Sequence, residues 1–275
     1  MKIVIKQVKS DFKNKFEVFV NNEKTYLAST PVISFAGPGI DKKSPIKITD
    51  LKKKVLFTSE YNFISSLKEE FIPFGFLTGK EQKFDQFIFK DSNNKEECQI
   101  YFSLEELLKG NYFIKKSNKI FSCYAKNEGY YKYVSIYDGE NQIAQLVKLN
   151  VIVDANDEYT IFLKDEYNYL QNSLVEFTLY LDRLYFNYGF QKKSTYIKYS
   201  TVRSKNDDKY NPNWLKENFD VKEFNNKNEE VINKTKNKVG KWLVITALII
   251  LFIVLLVSLL VVFLNNKYNW YFIVK

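Results

Sequence analysis

Short stretches of alternating apolar and polar residues, each followed by a polar turn, dominate the first 170 positions of the chain. The stretch KFEVFV at 15–20 leads through a polar NNEK turn into TYLA at 25–28. Alternation places successive side chains on opposite faces of a strand, and Asn, Asp and Gly tolerate the left-handed backbone of tight turns. The pattern therefore predicts a β-hairpin.

The same pattern recurs along the chain. Further hairpins are predicted over 45–57, 84–102 and 132–147, and one more strand over 154–163. Regularly spaced antiparallel hairpins are typical of a sandwich or a barrel. The first part of the chain is thus expected to be a mainly β domain of one of these two types.

The pattern changes at SLVEFTLYLDRLYFN, residues 173–187. Ser173 and Glu176 have the spacing of a capping box, which indicates a helix start. This helix would be apolar on nearly every face, so it must be surrounded, yet it is too short and too charged to span a bilayer. We therefore expect it inside the preceding strands. A pair of strands is the alternative, because Phe, Tyr and Leu suit strands as well.

A second apolar stretch, WLVITALIILFIVLLVSLLVVFL, runs for 23 residues from Trp242 to Leu264 without a charge. A helix of that length measures about 35 Å, enough to cross a hydrocarbon core of about 30 Å. The stretch predicts a transmembrane helix. The alternative is a buried core helix, but such a long uncharged stretch rarely lies in a soluble core.

Lysines flank this predicted span unequally. Four lie on the N-terminal side and two on the C-terminal side: Lys234, Lys236, Lys238 and Lys241 against Lys267 and Lys275. Because Lys and Arg are retained in the cytoplasm, we expect residues 1–241 inside and a short tail, 265–275, outside. The N-terminus has no signal-peptide pattern, so the layout is that of a tail-anchored protein of the cell membrane. The alternative is the reverse orientation, in a surface adhesion or envelope protein of a wall-less bacterium.

Between the β domain, residues 1–200, and the predicted span lies a polar stretch, residues 201–241. Its part from 203 onward carries ten basic and seven acidic side chains. Segments so poor in apolar residues do not bury enough surface to order themselves. We therefore expect a tether, with a short amphipathic helix over 214–224 that lies on the domain or on the membrane.

Composition argues against an enzyme, and a hydrolase that uses two carboxylates, such as a glycosidase, is the last-ranked alternative. The chain has no histidine, which removes the commonest general base and every Ser-His or Cys-His pair. Its two cysteines, Cys98 and Cys123, are expected to be buried small apolar residues, and a disulfide between them is the alternative for an exported domain. There is no Cys pair with zinc-ligand spacing and no Gly-rich phosphate loop, so we expect neither a metal nor a cofactor.

The formal net charge of +9 comes from scattered lysines, with only two arginines, and does not indicate nucleic-acid binding. Lysines close to an anionic leaflet each add attraction of about 1 kcal/mol. Candidate lipid-binding residues are the lysines expected in loops: Lys42, Lys43, Lys52, Lys53, Lys54, Lys115, Lys116, Lys192 and Lys193.

Three stretches resemble the tubby C-terminal superfamily. They are YDGEN at 137–141 followed by IAQ at 143–145, DEYTI at 157–161, and LVEFTLYLD at 174–182. The LURP-one-related proteins of bacteria and plants are the nearest branch, with phospholipid scramblases as cousins. The resemblance implies a twelve-stranded closed β-barrel around a central hydrophobic helix.

The chain also departs from that family. It has a longer irregular insert near 63–83, and no match to the phosphoinositide pocket of tubby proteins or to the calcium loop of scramblases. No binding residue is therefore carried over. Taken together, the patterns predict a membrane-anchored, non-enzymatic binding or scaffold module. Its expected partner is an anionic phospholipid or a membrane protein, and the alternative is a protein that scrambles or transfers lipid.

Overall fold

The computed structural model describes residues 1–10, 13–31, 45–62, 82–106, 109–152, 156–186, 196–197 and 209–268. The chain divides into two compact units, Met1–Asn225 and Asn226–Lys275.

The first unit is built mainly of strands. Their bounds are β1 Lys2–Ser10, β2 Lys13–Val20, β3 Glu23–Pro31, β4 Lys47–Thr49, β5 Val55–Tyr61, β6 Gln82–Asp91, β7 Glu96–Glu106, β8 Lys109–Lys116, β9 Lys119–Glu128, β10 Tyr131–Asp138, β11 Asn141–Leu149, β12 Val151–Ile152, β13 Glu158–Leu163 and β14 Tyr196–Ile197. The helices are a 3₁₀ helix Asp165–Leu170, α1 Gln171–Leu181, a π-helical turn Asp182–Phe186, α2 Trp214–Asn218 and α3 Lys222–Tyr268.

Within the described residues, twelve strands form a closed antiparallel barrel in the order β1-β13-β11-β10-β9-β8-β7-β6-β5-β4-β3-β2. Every neighbour in this order is also a neighbour along the chain, except where β13 pairs with β11 and β1 and closes the barrel. Closure leaves no edge strand unpaired. The predicted mainly β fold is confirmed, and the barrel rather than the sandwich is the correct alternative.

The hairpin turns follow from residues that tolerate a positive φ. Asn21 and Asn22, at φ +48° and +72°, join β2 to β3, and Gly139, at φ +60°, joins β10 to β11. Positive φ at both central residues is typical of the tight turns that suit twisted strands. The hairpin of β8 and β9 was not predicted, because its turn of Ser117 and Asn118 is a weaker signal than Asn-Asn or Asp-Gly.

Antiparallel neighbours place the turns after β2, β4, β6, β8 and β10 at one end of the barrel, here called the turn end. Alternate side chains of the strands point to the inner face, where they form one apolar core with α1. The inner face includes Ile3 and Ile5 of β1, Val134 and Ile136 of β10, and Ile161 of β13.

Helix α1 confirms the helical alternative for the apolar stretch at 173–187. Every residue from 173 to 182 is buried, and the helix contacts the neighbouring strands β7 and β8 and, from another part of the strand order, β13. Its Phe177 and Tyr180 pack against the ring of Tyr112 of β8, with centroid distances of 6.1 and 6.3 Å. These rings pack α1 against β8.

The predicted capping box is wrong. The 3₁₀ helix leads directly into α1, so that Gln171 is its first residue and Ser173 lies inside it. The residue before the helix, Leu170, makes no side-chain capping bond. Ser173 Oγ instead accepts a hydrogen bond from Lys116 Nζ at 3.2 Å.

The tether interpretation does not hold for residues 209–225, which belong to the first compact unit. Trp214, Val221 and Phe224 are buried against Val147 and Phe162 on the outer face of β11 and β13. The prediction of a short helix over 214–224 is confirmed for Trp214–Asn218, which lies on the domain. A few aromatic residues order this polar stretch because the barrel supplies the surface they pack on.

Helix α3 continues without a break from Lys222 to Tyr268. Residues 225–238, which were not expected to order themselves, are therefore helical. Among the described residues this is the one helix long and apolar enough to cross a membrane, and its most apolar part is entirely unburied.

Candidate functional site

The largest exposed apolar surface of the described residues is the stretch from Trp242 to Leu264 in α3. Large side chains along it are between 38% and 66% exposed, the extremes being Leu264 and Leu251. Soluble proteins rarely leave a continuous apolar surface of this size in water, so such a surface marks contact with lipid or with another protein.

The two polar side chains of this stretch are satisfied within the helix. Thr246 Oγ1 donates to the carbonyl of Trp242 at 2.9 Å, and Ser258 Oγ donates to the carbonyl of Val254 at 2.8 Å. Such bonds hide a hydroxyl that would be costly in hydrocarbon, where no water can replace a missing partner. Apart from the indole N–H of Trp242 at its first position, the stretch therefore presents only apolar groups to its surroundings.

The structure describes five of the nine lysines predicted as lipid contacts. Lys52, Lys53 and Lys54 are exposed in the turn between β4 and β5, and Lys115 is half-buried near the end of β8. Lys116 is engaged by an ion pair with Glu97 and by the hydrogen bond to Ser173. All five lie at the turn end. The other four, Lys42, Lys43, Lys192 and Lys193, lie outside the described residues.

The turn that carries three of these lysines has a well-defined backbone. Asp50 Oδ1 accepts the backbone N–H of Lys54 at 2.8 Å, and the Asp50 carbonyl accepts that of Lys53 at 3.0 Å. Lys53 adopts a φ of +67°. The Asp50 carboxylate is thereby used to shape the turn, which presents Leu51, 52% exposed, beside the lysines.

A groove of about 370 Å³ on the outer face of β2, β3 and β4 adjoins this turn. Lys15, Lys47 and Lys53 line it together with Leu27 and Ser29. Lys15 and Lys47 were not among the predicted site residues. Alternation along β2 and β4 places both on the outer face, but only the strand register, unknown from sequence, shows that they flank the same residue of β3.

A second group of charged residues lies on the inner face, at the end of the barrel opposite the turns. Lys132 of β10 and Lys148 of β11 are direct cross-strand partners, and Lys148 forms an ion pair with Asp157. Nearby, the hydroxyl of Tyr159 donates to Asp182 Oδ1 at 2.7 Å. These bonds tie the residue that follows α1 to the wall of the barrel.

Burial changes the acidity of this group. Burial and, to a smaller extent, the Lys148 charge together lower the pKa of Lys132 to about 7, and burial is the main cause that raises the pKa of Asp182 to about 7. Lys132, Lys148, Asp157 and Asp182 are all less than 5% exposed. A dissolved molecule has no access to them, so the group fits a structural role. The alternation of apolar and polar residues along β10 and β11 already places Lys132 and Lys148 on the apolar face. This pattern could have predicted from the sequence that both lysines are buried.

One further acid is buried within α1. Glu176 is 0% exposed and accepts a hydrogen bond from the Cys98 thiol at 2.9 Å. Burial raises the pKa of Glu176 to about 8, and burial followed by the Glu176 charge raises the pKa of Cys98. Both cysteines are buried and free of disulfides, as expected from the sequence. A thiol held in its protonated form is a poor nucleophile.

Among the described residues, no group of three or more His, Cys, Asp or Glu side chains is placed to hold a metal ion. The chain was compared with protein-family models, with curated proteins and with solved structures. None of the three comparisons finds a match. The resemblance to the tubby C-terminal superfamily therefore stays a prediction based on the quoted residues.

Proposed function

We propose that this protein is a single-pass membrane protein that holds its barrel domain at the bilayer as a non-enzymatic binding module. One observation carries the proposal: residues 242–264 form an uncharged helical stretch whose apolar side chains are all exposed. Lipid is the surrounding that such a helix fits, because its backbone is satisfied internally and its length matches the hydrocarbon core.

The unequal distribution of lysines supports a cytoplasmic location for the barrel domain. Four lysines lie within eight residues of the N-terminal end of the stretch, and two follow its C-terminal end. Retention of positive charge in the cytoplasm then places the residues after Leu264 outside. The reverse orientation, with the barrel on the cell surface, is the alternative.

The burial of the reactive side chains supports binding rather than catalysis. Three of the described groups with strongly shifted pKa values, Glu176, Asp182 and Lys132, are 2% exposed or less. Their burial leaves them no direct contact with a dissolved substrate. Among the described residues, the accessible polar groups of the domain therefore lie on its outer surface, which suits recognition of a membrane component.

Extraction of isolated membranes with alkaline carbonate tests the anchor. We expect the full chain to stay in the membrane pellet, and the double variant Leu251→Arg/Leu255→Arg to move to the supernatant. Each arginine near the centre of a span costs about 2.5–3.5 kcal/mol. A matched control, Asn226→Arg/Asn233→Arg, adds the same charge to exposed positions of α3 outside the apolar stretch and is expected to stay in the pellet.

Release of the unmodified chain by carbonate would contradict the proposal, as would retention of the Leu251→Arg/Leu255→Arg variant. Movement of labelled lipid between the leaflets of vesicles that contain the purified chain would instead favour the lipid-scrambling alternative.

A further inference from the structure

We propose that the outer groove of β2, β3 and β4, together with the turn at 50–54, binds the headgroup of an anionic phospholipid. This inference rests on the proposed function, since it requires the barrel domain to be held at a membrane. The groove has the volume of a small-molecule site, about 370 Å³.

Strand register brings the basic side chains together. Lys15 pairs with Ser29, and Ser29 pairs with Lys47, so that the two lysines flank one small residue on the same face. Two strand spacings separate their Cα atoms by about 10 Å. Long side chains from both positions can converge on one phosphate above Ser29.

The third lysine comes from the turn. Lys53 lines the same groove, and its neighbours in the sequence, Lys52 and Lys54, are exposed. One acid, Glu17, also lines the groove and forms an ion pair with Lys24, and Asp50 in the turn accepts a backbone N–H. Three lysines against one acid give the groove lining a net positive charge, which is complementary to an anionic headgroup.

Exposed apolar side chains border these lysines. Val8 lines the groove and is 49% exposed, Leu51 is 52% exposed in the turn, and Val55 is the register partner of groove residue Thr49. Lysines next to exposed aliphatic side chains match the boundary between phosphates and acyl chains in a bilayer. A soluble phosphate would use the lysines but not the aliphatic residues, so the combination favours a lipid.

The test measures binding to the full chain in a neutral detergent. The probes are dihexanoyl phosphatidylglycerol, dihexanoyl phosphatidylcholine, glycerol phosphate and an acidic phosphopeptide. We expect phosphatidylglycerol to bind at least about tenfold more tightly than the other three, with an affinity that falls as salt shortens the screening length from about 10 Å at 0.1 M to about 3 Å at 1 M.

Two triple variants with the same change of charge locate the site. We expect Lys15→Gln/Lys47→Gln/Lys53→Gln to weaken phosphatidylglycerol binding at least about tenfold. The control Lys95→Gln/Lys216→Gln/Lys222→Gln removes three exposed lysines outside the groove and should change binding less than about twofold. All six lysines are exposed, and circular dichroism of both variants checks that the barrel stays folded.

Equal loss in both variants would overturn the inference, because it would mean that overall charge and not the groove determines binding. Equal affinity for glycerol phosphate or for the phosphopeptide would identify a soluble partner instead of a lipid. No binding of phosphatidylglycerol would also overturn it. In each case the carbonate extraction of the full chain is unaffected, so failure of this inference is distinct from failure of the membrane anchor.

Discussion

Two helical stretches of this chain are apolar on nearly every face, and their surroundings are opposite. Residues 173–182, which comprise most of α1 and the residue after it, are buried within the barrel domain, whereas the side chains from Trp242 to Leu264 are exposed. The difference follows from length and charge. The first stretch spans about 15 Å and contains Glu176 and Asp182, while the second spans about 35 Å without any charge.

The two stretches satisfy their polar groups in different ways. In α1 the acids find partners in the wall of the barrel, Cys98 for Glu176 and Tyr159 for Asp182. In the second stretch the hydroxyls of Thr246 and Ser258 bond to carbonyls of their own helix. A helix that depends on partners outside itself fits a protein interior, and a helix that needs none fits lipid.

The same substitution in both stretches should separate the two environments most clearly. We expect Phe177→Ala, in α1, to lower the free energy of unfolding of the barrel by about 3–5 kcal/mol, because it leaves a cavity in a packed aromatic core. Phe252→Ala is expected to leave that free energy unchanged, since Phe252 is 61% exposed. Urea unfolding in detergent, followed by circular dichroism, measures both variants. A similar loss for each would show that the two helices share one packing environment.

Removing the buried acid of α1 should sharpen the contrast through pH. The pKa of Glu176 is raised by burial to about 8, against an ordinary value of 4.5. The folded chain therefore keeps a proton that the unfolded chain releases above about pH 4.5. The free energy of unfolding should then fall as the pH rises from about 4.5 to about 8. Asp182, with a pKa raised to about 7, acts in the same direction.

The Glu176→Gln variant has no carboxyl group at this position. Its free energy of unfolding should therefore fall much less over this pH range. We expect the variant to match the unmodified chain at pH 5 and to be more stable by about 2–4 kcal/mol at pH 8. Unfolding curves at a series of pH values provide the measurement. Parallel pH profiles for the two proteins would show that Glu176 is already ionised in the folded state.

Local patterns in the sequence determine much of this fold. Two hairpins can be identified from their turn residues, Asn21 with Asn22 and Gly139, because tolerance of a positive φ is a property of the single residue. The length and lack of charge of residues 242–264 likewise identify a candidate span without any knowledge of tertiary structure. The choice of a barrel over a sandwich depends on the pairing of β1 with β13, which joins residues more than 150 positions apart.

The features that were missed depend on such long-range contacts. The start of α1 was misplaced because the preceding 3₁₀ helix continues into it, which removes the need for a cap at Ser173. The order of residues 209–225 comes from the outer face of β11 and β13, where Trp214 and Phe224 pack. Predicting the groove would have required knowledge of the register of three strands. In each case the sequence shows the residues but not the surface they meet.

Protease treatment of intact cells tests whether the chain is anchored in the membrane with its barrel domain in the cytoplasm. Antibodies raised against the barrel domain detect whether that domain is cleaved. If the barrel is cytoplasmic, the protease should leave the domain intact in unbroken cells. Once the membrane is broken, the protease should degrade the domain or release it from the membrane fraction. Loss of the domain from intact cells would place it on the outer surface. Recovery of the whole chain in the soluble fraction, with no membrane pool, would contradict the account altogether.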